Sequence, residues 1–209
     1  HRDLHSFPTR RSSDLLVIGI SSRALFDLET EDELFRTEGL EAYCRYQIEN
    51  EDRSLQAGTG FPLVRALLNL NELVQDKRLV EVIIMSRNSA DTSLRISRSV
   101  EAHELDITRG AFTSGGSLAP YLEAFRVDLF LSVSEEDVQA AIDANFAAGL
   151  IYAGPGQNKP IEEQIRIAFD GDAVLFSEES ERIFSEQGLD AFYEHERANA
   201  HNPLPEGPF

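Results

Sequence analysis

Two aspartates separated by a glycine, Asp170 and Asp172, are the residues of this 209-residue chain whose type and spacing best suit chemistry. They follow an apolar run, 165–169, that predicts a buried strand, and Gly171 lets the backbone approach a ligand closely. Carboxylates at positions i and i+2 of a turn can project toward one pocket. One can attack phosphorus and form an aspartyl-phosphate, while the other protonates the leaving oxygen and then activates water.

The same pair suits a divalent cation. Mg²⁺ prefers oxygen ligands, and its charge offsets the repulsion between a carboxylate nucleophile and a phosphate. Asp170 and Asp172 are therefore the candidates for catalytic residues and metal ligands. The alternatives are an acidic turn that caps a helix and a calcium loop of the EF-hand type. The predicted strand before the motif argues against the first, and Val174 argues against the second, because that loop needs an oxygen ligand at its position.

The elements that must position such a turn are strands and helices. Short apolar runs typical of strands alternate along the chain with segments that have the apolar spacing of helices. Strands are predicted over 15–20, 79–85, 109–113, 127–131, 150–153 and 165–169. Helices are predicted over 30–49, 61–75, 89–103, from Pro120, and over 134–148 with Gly149 closing the last one. This alternation predicts an α/β fold, a Rossmann-like parallel sheet with helices on both faces.

Residues directly after the predicted strands are the candidates for a site, because ligands of parallel sheets bind at the carboxyl ends of the strands. They are Ser21-Ser22-Arg23, Ser86-Arg87-Asn88, Ser132-Val133 and the 170–172 turn.

The composition excludes several classes of protein. With 37 acidic and 19 basic residues, the chain has a net charge of −18, which disfavours binding to nucleic acid or to an anionic membrane. A hydrophobic content of 42% excludes an intrinsically disordered chain, and a single cysteine excludes a disulfide scaffold. No apolar stretch of the sequence approaches the roughly 20 residues of a membrane helix.

The chain contains an internal repeat. Residues 17–43 align with residues 166–192 without a gap, and seven of the 27 positions are identical. Similarity common to all strand–turn–helix units is the alternative explanation, but the register favours a duplication. In this alignment Ser21 and Arg23 stand where the second copy has Asp170 and Asp172, so the first copy lacks the carboxylate pair.

The motif D-G-D-A-V resembles the first motif of the haloacid dehalogenase superfamily, D-x-D-x-[TV]. The longer segment I-A-F-D-G-D-A-V-L-F-S-E-E-S-E-R-I is similar to the cytosolic 5′-nucleotidase I family, as are S-S-R-A-L-F after the first strand and N-P-L-P-E-G-P-F at the end. The resemblance covers residues 16–209. It implies a haloacid dehalogenase-like fold and Mg²⁺-dependent hydrolysis of nucleoside 5′-monophosphates, typically AMP, in the cytoplasm. It also implies that Asp170 is the nucleophile and a metal ligand, and that Asp172 is the general acid/base and binds the metal through its carbonyl.

The chain departs from the superfamily pattern in ways that lead to a domain prediction. The hydroxyl, lysine and acidic-pair motifs do not follow Asp172 before the chain ends, and the first copy has Ser86, Leu118 and Ser132-Val133 at the corresponding places. We expect a non-native or disordered, adapter-like leader over 1–15, a degenerate haloacid dehalogenase-like unit over 16–155, and the start of a truncated catalytic unit over 156–209.

A fragment of this kind should bind Mg²⁺ poorly and hydrolyse AMP negligibly by itself. The alternative functions are another small-molecule phosphatase of the same superfamily and a non-enzymatic nucleotide-binding or regulatory module.

Overall fold

The computed structural model describes residues 15–75, 77–90, 92–152, 168 and 171–207, without the side chains of residues 172 and 173. Its strands are β1 (Leu16–Ser21), β2 (Val80–Ser86), β3 (Arg109–Phe112), β4 (Leu129–Ser132) and β5 (Ala148–Leu150). Its α-helices are α1 (Ser22–Leu25), α2 (Glu29–Glu49), α3 (Phe61–Asn69), α4 (Leu94–Ala102), α5 (Ala119–Phe125), α6 (Glu135–Asp143), α7 (Glu179–Gln187) and α8 (Leu189–Asn199). A 3₁₀ turn (Leu70–Leu73) follows α3, and a π-helical turn (Gly171–Leu175) precedes α7.

The five strands form one parallel sheet in the order β3-β2-β1-β4-β5. In the central strand β1, Ile20 lies between Ile84 of β2 and Leu131 of β4. The chain order reverses between β1 and β4, and such a switch point is where parallel sheets open a crevice for ligands.

Both faces of the sheet are covered. Side chains on one face pack against α3 and α4 in a cluster that includes Ile18, Ile20, Val82, Ile84, Val64, Leu67, Ile96 and Val100. Side chains on the other face pack against α5 and α6 in a cluster that includes Val17, Ile83, Met85, Phe130, Leu122 and Ala141. The alternation of neighbouring strand residues between the two clusters follows the period of two in a β-strand, and it explains why the strands are almost wholly apolar. The predicted α/β fold, a Rossmann-like parallel sheet with helices on both faces, is confirmed.

Two predicted boundaries near the end of this sheet are wrong. The helix predicted over 134–148 ends at Asp143, and the strand predicted over 150–153 is β5, which begins at Ala148. Asn145 has a φ of 61°, and this left-handed residue ends the helix well before Gly149. The segment after it then pairs with β4 instead of continuing the helix. The strand predicted over 165–169 lies outside the described residues apart from residue 168.

The repeat found in the sequence has a counterpart in backbone geometry. Gly39 in α2 has φ 84° and ψ −177°, and Gly188 between α7 and α8 has φ 86° and ψ −179°. Only glycine adopts this region readily, so each copy breaks its helix pair at the same glycine. An edge-on pair of aromatic rings also flanks the break in each copy. The ring centroids of Phe35 and Tyr43 lie 5.9 Å apart around Gly39, and those of Phe184 and Phe192 lie 6.2 Å apart around Gly188.

The alignment of the two copies nevertheless contains a gap at the strand end. In the first copy, Phe26 N–H donates to Ser22 C=O, four residues back, and closes an α-turn. In the second copy, Phe176 N–H donates to Gly171 C=O, five residues back, and closes a π-turn. The second copy therefore has one extra residue in the turn that contains Asp172, and it recovers the original register before α8. The ungapped alignment is wrong at this point.

Candidate functional site

The predicted catalytic pair lies at the limit of the described structure. Asp170 is outside the described residues, and Asp172 belongs to the π-helical turn with its backbone only. Elsewhere in the described part of the chain, no group of three or more histidine, cysteine, aspartate or glutamate side chains is placed to hold a metal ion. The two aspartates thus stay a prediction.

The other residues predicted from the strand ends do meet at one edge of the sheet. A cleft of about 690 Å³ opens there, and the predicted residues that line it are Ser21, Ser22, Arg23, Ser86, Arg87, Asn88, Leu118, Ser132 and Val133. The cleft lies over the switch point of strand order, where a parallel sheet is expected to bind its ligand. The residues predicted to stand at the places of the superfamily motifs in the first copy therefore share one cleft.

The floor of this cleft is made of buried serine hydroxyls. Ser21, Ser86 and Ser132 end β1, β2 and β4 and are 7%, 2% and 0% exposed. The Ser86 and Ser22 hydroxyls are hydrogen-bonded to each other at 3.0 Å. The Ser132 hydroxyl accepts the Ser134 N–H at 3.1 Å. These groups are neutral, so the floor offers hydrogen bonds but no carboxylate for a cation.

Two arginines at the rim are held by carboxylates. Arg23 pairs with Asp32 at 3.0 Å, and Arg87 pairs with Asp137 at 2.5 Å and with Glu136 at 3.2 Å. Burial acts to lower the pKa of Arg87, but the charges and hydrogen bonds of Asp137 and Glu136 outweigh it and raise that pKa above its ordinary value. Both arginines are therefore already engaged by carboxylates.

One wall of the cleft is formed by α2, which bends at Gly39. Phe35 and Tyr43 on either side of the bend meet edge to face with ring centroids 5.9 Å apart. The Tyr43 hydroxyl accepts a hydrogen bond from the Gln47 amide at 3.0 Å. Burial raises the pKa of Tyr43, although hydrogen bonds from Gln47 and Asn88 act to lower it, so this phenol stays neutral over the physiological range.

A buried arginine of α4 links this wall to the helix packed on the sheet. Arg95 of α4 reaches Glu31 in the first half of α2 at 2.5 Å and Gln47 in the second half at 3.2 Å. Its Nε donates to the Arg53 carbonyl at 2.9 Å, and its guanidinium lies 5.7 Å from the Tyr46 ring centroid. One side chain thus ties together both halves of the bent helix.

The sequence model of the 5′-nucleotidase family matches residues 8–209, almost the whole chain. This chain belongs to the 5′-nucleotidase family. It is similar to human cytosolic 5′-nucleotidase 1B, with 34% identity over 203 residues, which covers 95% of this chain and 33% of the human protein. The resemblance to the cytosolic 5′-nucleotidase I family is confirmed, and the chain spans about a third of the length of that relative. No solved structure matches it significantly.

Sequence reasoning missed the part that α2 plays in the cleft of this 5′-nucleotidase family member. An acidic run such as 29–33 is typical of a solvated helix start, but Glu31 is 4% exposed and pairs with Arg95. Phe35 and Tyr43 have the helical spacing of core residues, yet both line the cleft. The glycine at position 39 was the available signal, since an interior glycine in a helical pattern often marks a bend.

Proposed function

We propose that this chain carries the nucleophile of a Mg²⁺-dependent 5′-nucleotidase that converts nucleoside 5′-monophosphates such as AMP into nucleoside and phosphate. Membership of the 5′-nucleotidase family supports the reaction class. The motif at 170–172 supports the mechanism, because it supplies two carboxylates at the end of a predicted strand.

The two aspartates have different roles in this mechanism. An Asp170 oxygen attacks phosphorus, and the bond between phosphorus and the 5′ oxygen breaks as Asp172 gives that oxygen a proton. Asp172 then takes a proton from water, which attacks the aspartyl-phosphate, releases phosphate and restores the Asp170 carboxylate. Mg²⁺, when bound, supplies positive charge beside the phosphate. The donor set suits this ion, since carboxylate and carbonyl oxygens are the ligands it prefers.

The π-helical turn at Gly171–Leu175 is the observation that carries the proposal. π-Turns are rare, arise where a residue is inserted into a helix, and occur frequently at functional sites. Here the extra residue falls in the turn of the copy that has the aspartates, whereas the matching turn of the first copy is an ordinary α-turn with serine and arginine. The copy with the π-turn is therefore the copy that has the two aspartates.

The same reasoning extends to organisation, surroundings and partners. We assign residues 16–155 to a degenerate, non-catalytic unit and residues 156–209 to the beginning of the catalytic unit. A nucleoside monophosphate is the proposed substrate, and the name of the human relative supports the cytoplasm as the compartment. Among the described residues, the helices are too short or too polar to cross a bilayer.

Phosphate release from AMP by the full-length gene product tests this function. We expect turnover with millimolar Mg²⁺ and none after EDTA treatment, with activity restored by added Mg²⁺. A sugar phosphate serves as the comparison substrate and should be hydrolysed far more slowly. Equal rates with and without the metal would contradict the mechanism. A preference for the sugar phosphate would favour another phosphatase of the superfamily, and no release from either would favour the non-enzymatic module.

A further inference from the structure

The cleft between α2 and the carboxyl edge of the sheet is shaped as a ligand site although it lacks catalytic carboxylates on its floor. Its volume of about 690 Å³ lies in the range of small-molecule sites. We propose that this cleft binds an uncharged nucleoside, without a metal ion and without turning it over. The proposal is independent of the function assigned to the 170–172 turn, because its residues all lie in the first copy.

The charges around the cleft disfavour a phosphate group. The described lining residues include two arginines and four carboxylates, and two further arginines outside the lining, Arg95 and Arg36, pair with Glu31 and Asp32, so these charges balance. Arg23 and Arg87 are each already paired with carboxylates at the rim. A phosphate dianion would have to displace these carboxylate partners or lie beside them, whereas an uncharged molecule would not.

The floor offers groups that match the hydroxyls of a sugar. The Ser21 hydroxyl accepts the Ala24 N–H, so its oxygen is fixed in place, and Ser21 is 7% exposed at the edge of the sheet, whereas Ser132 is fully buried. Within the described part of the chain, the Ser21 hydroxyl proton has no acceptor. A serine hydroxyl is both donor and acceptor, and the ribose oxygens of a nucleoside provide both kinds of partner.

The α2 wall offers an aromatic surface for the base. The Phe35 ring is held edge-on by Tyr43, and Phe35 is 49% exposed despite its size. An exposed and oriented ring of this kind stabilises a planar heterocycle by stacking. A nucleoside fits both features, because its sugar hydroxyls can face the floor while its base stacks on Phe35.

Calorimetric titration of the 209-residue chain with adenosine and with AMP, in buffer containing EDTA, tests this site. We expect adenosine to bind about tenfold or more tightly than AMP, because the phosphate would have to compete with the carboxylates that already hold Arg23 and Arg87. The substitution Phe35→Ala should weaken adenosine binding about tenfold. The matched substitution Phe184→Ala, at the equivalent position of the second copy, should leave it unchanged.

A substitution that changes charge at the rim distinguishes an effect on ligand binding from a loss of folded structure. Glu136 has a side chain that is 78% exposed, and Glu136→Gln frees Arg87 of one partner. We expect this variant to raise the affinity for AMP severalfold and to leave adenosine binding as it was.

Three results would overturn the proposal: AMP binding as tightly as adenosine, equal losses for Phe35→Ala and Phe184→Ala, or no adenosine binding at millimolar concentration. Asp170→Asn should not affect adenosine binding, so this site and the proposed nucleotidase activity can fail separately.

Discussion

Replacement of Asp170 by asparagine should abolish phosphate release from AMP in the full-length protein. The asparagine side chain has nearly the same shape but is a poor nucleophile toward phosphorus, so the covalent step is lost. Loss of an enzyme's nucleophile lowers kcat by several orders of magnitude, and we expect a fall of roughly 10⁴-fold or more. Initial rates of phosphate release with millimolar Mg²⁺ measure this effect.

Asp190→Asn is the matched control for that substitution. Asp190 lies in the first turn of α8, is exposed, and undergoes the same chemical change outside the proposed site. Its activity should stay within about twofold of the unchanged protein, as expected for a surface position. If Asp170→Asn retains a tenth or more of the activity, the nucleophile is another group.

Replacement of Arg95 by alanine should produce the largest loss of stability among single substitutions in the α2 wall. Glu31 would remain buried without a cation, and Gln47 would lose its donor. Removing one partner of a buried ion pair costs about 3–5 kcal/mol, because the remaining charge stays desolvated. Urea unfolding of the 209-residue chain, followed by circular dichroism, measures this change.

Arg98→Ala provides the control on the same helix. Arg98 lies three residues further along α4, and it pairs with Glu51 at 3.3 Å and with Asp52 at the surface. Exposed pairs of this kind contribute about 0–1 kcal/mol. The account of the α2 wall would be wrong if Arg95→Ala cost no more than Arg98→Ala. The double variant Arg95→Ala, Glu31→Gln should lose less free energy of unfolding than the sum of the losses of the two single variants, since both substitutions act on one contact.

The sheet was predictable because its strands are buried on both faces. Runs such as L-V-I-G-I-S and V-E-V-I-I-M-S are apolar nearly throughout, and this pattern has few alternatives at that length. The convergence of Ser21, Ser86 and Ser132 followed from parallel topology alone, since the carboxyl ends of parallel strands share one edge.

Other features depended on contacts that a local pattern does not contain. Residues 144–148 continue the apolar spacing of α6, and only the left-handed backbone at Asn145 separates the helix from β5. Glu31 belongs to an acidic run typical of a solvated helix start, and its burial depends on Arg95, 64 residues away. The π-turn depends on where the second copy accommodates a single extra residue. An ungapped alignment of the two copies does not reveal that residue.

Trapping the covalent intermediate tests the central claim most directly. The full-length protein is mixed briefly with AMP labelled with ³²P in its phosphate and with Mg²⁺, quenched in acid, and digested for mapping by mass spectrometry. Phosphoryl transfer to a strand-end carboxylate predicts label on the peptide that contains Asp170, stable in acid and released by hydroxylamine. Turnover of AMP with no label on that peptide, or with label on another residue, would contradict it.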